Sequence, residues 1–196
     1  MSTLFEKEIT HTRYTYSDYL EWGAEERYEI IDGEAYMMSA PSISHQGISR
    51  ELILQFGNFL KGKPCQVFAA PLDVRLFPAE DESDDTIVQP DILVVCDESK
   101  LADNRSCRGA PDLVIEILSP SNTAGVMFLK FHKYLKAGVR EYWVVNPETK
   151  VIQVHILEKA AEEAPVHYTS AVYENAEAID VSIFPGLKID CFAKGT

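Results

Sequence analysis

Residues 112–118 read Asp-Leu-Val-Ile-Glu-Ile-Leu, a nearly continuous apolar run that one carboxylate, that of Glu116, interrupts. Residues 91–96, Asp-Ile-Leu-Val-Val-Cys, form a second run of the same kind. Runs this apolar are typical of strands that are covered on both faces. The two stretches therefore predict the centre of a buried sheet, with Asp91 at the mouth of one strand and Glu116 inside the other.

Helical periodicity and turn residues surround these two strands. An amphipathic helix is predicted up to Leu60, with Ser42 or Ser44 as its N-cap, and a second helix from about Thr123 to Lys136. The other predicted elements are a short helix at 18–22 capped by Ser17, hairpins within 27–38 and 141–157, and strands at 66–70, 72–77 and 167–173.

The order of these elements predicts the fold class. Helices and strands do not alternate regularly, which favours an α/β (α+β) fold with a mixed central sheet flanked by helices over a doubly wound fold. The length of 196 residues suits one domain spanning 1–196, and a hydrophobic fraction of 46% is enough for its core. No glycine-rich phosphate-binding motif occurs in the sequence.

The charge balance narrows the function classes. Acidic residues outnumber basic ones 31 to 18, which gives a formal net charge of −13. This argues against tight, sequence-independent binding of nucleic acid, because such binding needs Lys and Arg to displace counterions from phosphates. It does not exclude a nuclease, because metal ions neutralise a carboxylate-rich site and supply positive charge themselves.

Cysteine usage and hydropathy indicate a compartment. The four cysteines form no CxxC pair, so a zinc ribbon or thioredoxin-like site is not expected. Cys96 ends an apolar run and is expected to be a buried free thiol, which favours a reducing, cytoplasmic location. No apolar segment approaches the ~20 residues of a membrane span, and residues 1–10 do not resemble a signal peptide, so no membrane association is expected.

Glu116 is the most informative residue of the sequence. An ionised carboxylate in a buried strand costs on the order of several kcal/mol unless it is paired, hydrogen-bonded or bound to a metal. With Asp91 at the same end of an adjacent strand, the two carboxylates would form a site for Mg²⁺ or Mn²⁺. Two alternatives stay open: Asp91 as a turn residue at a strand start, and Glu116 in a pair with a buried Arg or Lys.

Lys130 lies on the helix that follows the Glu116 strand. A helix that turns back over this strand brings the ammonium near the Glu116 carboxylate. In that place a lysine steadies an attacking water and the charge that grows on phosphorus. The alternative is an ordinary surface lysine, the usual fate of a lysine on a helix.

Six linked motifs follow one another along the chain: YEIIDG (28–33), PDILVV (90–95), PDLVIEILSPS (111–121), KFHKYLKAGV (130–139), EYWVVNP (141–147) and FPGL (184–187). With these motifs in this order, the chain resembles the Uma2 family of bacterial endonucleases. The resemblance implies a restriction-endonuclease-like PD-(D/E)xK core that hydrolyses phosphodiester bonds of nucleic acid, DNA in the first place, with Mg²⁺ or Mn²⁺. A homodimer is expected by analogy, since nucleases that cut both strands often pair.

The resemblance also implies roles for individual residues. Asp91 matches the first acidic position and Glu116 the second, so both are expected to hold the metal and to be catalytic. The lysine that normally stands two residues after the glutamate is replaced by Leu118, and Lys130 matches the position that takes over. Glu29, on the first hairpin, resembles a further acidic position and is expected to act as a ligand or a base.

Three other positions bear on activity. His45 matches a recurrent family position, although a lone histidine at a helix start is more often a neighbour of the cap, and Asp73 is a weaker acidic candidate. Val126 stands where the family often carries an aspartate, four residues before the lysine. This departure and the net charge of −13 favour a rival function, a catalytically weak or inactive nuclease-fold module that acts in binding or regulation.

Overall fold

The computed structural model describes residues 13–22, 27–120, 122–158, 167–175 and 178–193. Its helices are α1 (Tyr16–Glu21), α2 (Ile43–Leu60) and α3 (Ala124–Ala137), with a 3-10 turn at Glu98–Leu101. Its strands are β1 (Tyr28–Ile31), β2 (Glu34–Met37), β3 (Gln66–Ala69), β4 (Asp73–Arg75), β5 (Ile87–Val88), β6 (Ile92–Val95), β7 (Ser106–Arg108), β8 (Leu113–Ile117), β9 (Glu141–Asn146), β10 (Val151–Glu158), β11 (His167–Glu174), β12 (Ile179–Asp180) and β13 (Lys188–Ile189).

A six-stranded mixed sheet in the order β11-β10-β9-β8-β6-β3 forms the centre of the fold. The two apolar runs are its neighbouring strands β6 and β8, which pair antiparallel with Ile92 opposite Ile115. Strand β9 lies parallel to β8, and α3 connects the two strands. The prediction of a mixed central sheet flanked by helices is confirmed.

Alternate side chains of β6 and β8 enter two different cores. Ile92 and Ile115 pack in one core with Leu52 of α2. Leu93 packs in the other core with Tyr134 of α3. The two helices thus cover opposite faces of the sheet, which explains why neither run alternates apolar with polar residues.

A second, five-stranded sheet in the order β2-β1-β5-β4-β7 was not predicted. It joins the core on the α3 side of the central sheet, where Ile31 and Val74 are buried. Its strands have two to four residues each, which is at or below the length at which alternation of side chains identifies a strand. Its hairpin β1–β2 was predicted from the Asp32-Gly33 pair. In the structure, these two residues adopt the positive φ angles of 53° and 77° that a two-residue turn requires.

Short polar side chains set the starts of the helices. Ser42, not Ser44, caps α2, since its Oγ accepts the His45 N–H at 3.2 Å. Thr123 caps α3 through a hydrogen bond from the Val126 N–H, and Gly138 ends this helix with a φ of 91°. The prediction for α1 was wrong by two residues: Thr15 caps it in a capping box with Asp18, so Ser17 lies inside the helix.

The expectation of a free thiol at Cys96 was wrong, because Cys65 and Cys96 form a disulfide. The cause is the register of β3 against β6, in which Gln66 lies opposite Val95 and the next pair outward is Cys65 with Cys96. Cys107 and Cys191 are free and buried. Cys96 was expected to be free, and a free thiol favoured a reducing compartment. Because Cys96 is in a disulfide, it no longer supports that expectation.

Among the described residues, no helix is long and apolar enough to cross a membrane. Residues 1–10, on which the expectation about a signal peptide rests, lie outside the described part of the chain.

A buried ion pair ties the second sheet to the acidic loop at 79–85. The Arg75 guanidinium is fully buried and binds Asp84 through two nitrogens, with Nε 2.9 Å from Oδ2. The same guanidinium lies over the Tyr16 ring, 4.2 Å from its centre. The neighbouring Asp85 instead pairs with Arg13 at the surface.

We expect Asp84→Ala to lower the free energy of unfolding by about 3–5 kcal/mol, because it leaves the Arg75 charge buried without a partner. Asp85→Ala is the matched control and should cost at most about 1 kcal/mol, since it breaks an exposed pair. Urea denaturation of the three proteins measures both effects. An equal decrease of the free energy of unfolding in the two variants would contradict the conclusion that the Arg75–Asp84 pair is the buried, stabilising one.

Candidate active site

A cleft of about 410 Å³ opens at one end of the central sheet. Its walls come from the β1–β2 hairpin, the first turns of α2, the start of α3, and the residues that adjoin β6 and β8. Glu29, Asp91, Glu116 and Lys130 all line it. The structure therefore brings the four site residues expected from the sequence into one cleft.

The antiparallel register of β6 and β8 positions the two carboxylates expected to hold a metal. Ile92 lies opposite Ile115, so one step further along the same register Asp91 faces Glu116. The Asp91 Oδ2 accepts the backbone N–H of Ile117 at 2.7 Å, which holds its carboxylate against β8. Asp91 is thus more than a turn residue at the start of a strand.

Lys130 joins two of the carboxylates. Its ammonium lies 2.6 Å from Oε1 of Glu116 and 2.9 and 3.1 Å from the two oxygens of Glu29. Only 2% of Lys130 is exposed, and both glutamates are buried as well. The interpretation of Lys130 as a surface lysine is therefore wrong. The alternative in which Glu116 pairs with a buried lysine is confirmed, and that lysine is Lys130, the residue that the nuclease hypothesis also places beside Glu116.

Burial and neighbouring charges shift the pKa values of Glu116 and Lys130 in opposing ways. Burial raises the pKa of Glu116 to about 7; the Lys130 ammonium opposes this shift, and the charges of Glu29 and Asp91 add to it. For Lys130, burial alone would lower the pKa, but the Glu116 and Glu29 carboxylates outweigh burial and raise it. The lysine is therefore charged, and the Glu29 and Glu116 carboxylates share its ammonium.

His45 reaches the site from the first turn of α2. Its backbone N–H binds the Ser42 cap, as a neighbour of a cap does, but its ring Nε2 lies 3.1 Å from Oδ1 of Asp91. Burial acts to lower the pKa of His45, and the hydrogen bond and charge of Asp91 outweigh it, so the pKa is raised. The histidine is therefore a direct partner of Asp91.

Two further residues of the site were not predicted from the sequence. Tyr134 donates its hydroxyl to Oε1 of Glu116 at 2.6 Å, and Gln89 donates its backbone N–H to Oε1 of Glu29 at 2.7 Å. Tyr134 lies four residues after Lys130, hence on the same face of α3, and this spacing is the signal that could have found it. For Gln89 the signal is weaker, a polar residue just before Pro90-Asp91.

Asp73 lies behind the cleft and not among its lining residues. Its Oδ1 accepts hydrogen bonds from the Gln89 side chain at 2.8 Å and from the Tyr19 hydroxyl at 3.1 Å. Burial is the main cause of its raised pKa. Asp73 thus supports Gln89, and through it Glu29, instead of facing a substrate.

Val126 lines the cleft at the start of α3. The position where an aspartate was expected by resemblance is therefore a wall position of the site, and here it is apolar. In the described part of the chain, no three His, Cys, Asp or Glu side chains already form a metal cage. The Lys130 ammonium instead lies between two of the carboxylates.

Comparison with known sequences identifies the family. The profile of the Uma2 family, described as "Putative restriction endonuclease", matches residues 16–191. This chain belongs to the Uma2 family. The "Uncharacterized protein slr1290" of Synechocystis sp. is 30% identical over 138 residues, which are 68% of each chain. The "Uncharacterized protein sll1609" of the same organism is 33% identical over 114 residues, 55% of this chain and 59% of that protein.

A solved structure supports the fold of this Uma2 chain. A "putative nuclease belonging to DUF820" from Anabaena variabilis superposes with a TM-score of 0.69, covering 91% of this chain and 95% of its own. The two sequences are 21% identical, so the likeness concerns the fold. The family and the fold together support a nuclease-type function.

The raised pKa of Glu116 predicts how the stability of the protein depends on pH. Folded protein keeps a proton on Glu116 up to about pH 7, whereas an unfolded chain loses it near the ordinary value of 4.5. Stability of the metal-free protein should therefore fall as pH rises through this window, by on the order of 1–3 kcal/mol. Glu116→Gln should lack this fall and match or exceed the wild type above pH 7, as thermal melts at a series of pH values would show.

The same variant tests whether Glu116 is essential to the fold. Glu116→Gln keeps an oxygen for the Tyr134 hydroxyl, and Lys130 keeps Glu29 as its counter-charge. A variant that is unfolded at room temperature would contradict the expectation and make Glu116 a structural ion-pair residue.

Proposed function

We propose that this Uma2 protein is a metal-dependent endonuclease that hydrolyses phosphodiester bonds of nucleic acid. The observation that carries the proposal is the buried Lys130 ammonium, 2.6 Å from Glu116 and 2.9 Å from Glu29, in a cleft that Asp91 also lines. Burying Glu29, Glu116 and Lys130 together costs stability, and such clusters are typical of active sites.

The chemistry of the donors fits a divalent cation. Carboxylate oxygens are the ligands that Mg²⁺ and Mn²⁺ prefer, and Asp91 and Glu116 would hold the ion from adjacent strands. Burial is the main cause of the raised pKa of Glu116, and the charges of Glu29 and Asp91 add to it, so a bound cation would offset the cost of keeping this carboxylate ionised. When bound, the cation supplies polarisation of the phosphate and lowers the pKa of coordinated water.

The residues of the chain have separate tasks in this proposal. The Lys130 ammonium stabilises the negative charge that develops on the phosphoryl oxygens, which it does best in a buried site. Glu29, held by the Gln89 N–H, accepts a proton from the attacking water or adds a ligand. His45 and the Ile117 N–H fix the two oxygens of Asp91, so this carboxylate is oriented before a substrate arrives.

A specific observation favours a second candidate, a nuclease-fold module that binds or regulates without efficient hydrolysis. Val126 puts an apolar side chain into the cleft wall four residues before Lys130. The net charge of −13 also disfavours efficient cleavage of nucleic acid, because a negatively charged protein repels a polyanionic substrate. The two candidates differ in one measurement, the hydrolysis of labelled DNA and RNA with Mg²⁺ or Mn²⁺.

Lys130→Met separates catalysis from metal binding. The substitution keeps most of the aliphatic stem and removes the ammonium. We expect the variant to fold, because Glu116, whose pKa is already raised, can take up a proton when the ammonium is absent. It should still bind Mn²⁺, seen as a rise of its Tm with added metal, because the carboxylates remain. Its rate of hydrolysis should fall at least tenfold, since loss of one such electrostatic contact costs about 10²–10³ in rate.

Lys136→Met is the matched control, because Lys136 is exposed on the same helix and contacts the Phe77 ring instead of the cleft. Lys133 is less suitable, since it pairs with Asp32 in the hairpin turn. Equal loss of rate in the Lys130 and Lys136 variants would mean general attraction of the polyanion. Unchanged hydrolysis in Lys130→Met would remove Lys130 from the active site.

A further inference from the structure

The cleft offers a nucleic acid few positive charges. Among the residues that the structure describes, its positively charged lining residues, apart from His45, are Arg27 and Lys130. Lys130 is held by Glu29 and Glu116, and the Arg27 Nε donates to the Gln89 side-chain oxygen at 3.1 Å. Displacement of counterions by free Lys and Arg is the main source of affinity for duplex backbones, so this cleft draws little affinity from it.

The β1–β2 hairpin gives the cleft an apolar wall instead. Tyr36 lies directly opposite Glu29 in the hairpin, and residues in such a pair project from the same face about 5 Å apart. Met38 follows two residues later, with its N–H bound to the Arg27 carbonyl at 2.8 Å. Tyr36 and Met38 both line the cleft and are half-buried, so each keeps part of its surface available.

An aromatic ring and a thioether are surfaces on which the faces of nucleobases pack. Stacking of bases on aromatic side chains supplies affinity in proteins that bind single strands, and it does not depend on sequence. A thioether is polarisable and adapts its shape to a flat partner. The position next to Glu29 puts this surface beside the proposed reaction centre, where the nucleotide adjoining the cleaved bond would lie.

We propose that the substrate of this site is unpaired, single-stranded nucleic acid, whose bases next to the cleaved phosphate pack against Tyr36 and Met38. In a duplex the base faces are stacked on one another and cannot reach this wall, whereas a single strand exposes them. A single strand also has the lower charge density, so a protein of net charge −13 repels it less than a duplex. This inference rests on the proposed function and names its substrate class.

Fluorescence anisotropy of labelled oligonucleotides tests the inference without requiring turnover. The same sequence is offered as single-stranded DNA, single-stranded RNA and duplex DNA in Ca²⁺, an oxygen-seeking cation like Mg²⁺, and its integrity is checked on a gel. We expect the better of the two single strands to bind at least about tenfold more tightly than the duplex. The DNA and RNA arms identify which sugar the site accepts.

Two variants test whether Tyr36 and Met38 cause the preference for single strands over duplex. Tyr36→Leu removes the ring and keeps an apolar side chain, and Met38→Gln keeps the length of the side chain and removes its apolar end. Each should weaken binding of the single strand at least about fivefold. Tyr173→Leu is the matched control, since Tyr173 is a partly exposed tyrosine on β11, at the edge of the central sheet and three strands from β8, and should leave binding unchanged.

The outcomes separate this inference from the proposed function. Binding of duplex as tight as that of the single strand, or unchanged binding in the folded Tyr36 and Met38 variants, overturns the inference whatever the rate of cleavage. Binding of the single strand that depends on Tyr36 and Met38, without hydrolysis in Mn²⁺ or Mg²⁺, supports the inference and overturns the proposed nuclease activity. Should Tyr36→Leu fail to fold, Met38→Gln alone decides.

Discussion

The contact on which the rest of the site depends is the Lys130 ammonium between Glu29 and Glu116. It connects the five-stranded sheet, the central sheet and α3, each of which contributes one of the three residues. Without the ammonium, two buried carboxylates would face each other, and either would have to take up a proton or move to solvent. The orientation of the β1–β2 hairpin and of α3 is therefore set by charge as well as by apolar packing.

Holding several carboxylates in one cleft costs free energy of folding, and hydrogen bonds from neighbouring residues offset part of this cost. Tyr134, Gln89 and the Ile117 N–H donate hydrogen bonds to Glu116, Glu29 and Asp91 in turn. These donors hold each carboxylate in place even though burial, and to a smaller extent the charges of Glu29 and Asp91, raise the pKa of Glu116. A cleft of this kind is less stable than an apolar one but is oriented to bind a cation, and such a loss of stability at a functional site is common in enzymes.

Much of this arrangement could be predicted from the sequence, because its strongest signals are local. A carboxylate inside an apolar run marked Glu116, and helical periodicity after that run placed Lys130 on the following helix. Contacts that depend on register could not be predicted. The Cys65–Cys96 disulfide depends on the pairing of β3 with β6, and the support of Glu29 by Gln89 depends on a second sheet whose strands are too short to be recognised.

Glu29 and Lys130 are 101 residues apart in the chain, and Asp91 and the Ile117 N–H are 26 apart. Closing loops of this length comes late in folding, after the local helices and hairpins have formed. Asp91 and Glu116 are thus in place once β6 and β8 pair, and Glu29 reaches Lys130 only when the first hairpin docks. A chain emerging from the ribosome therefore carries no assembled site until Lys130 of α3 and Glu29 of the hairpin meet.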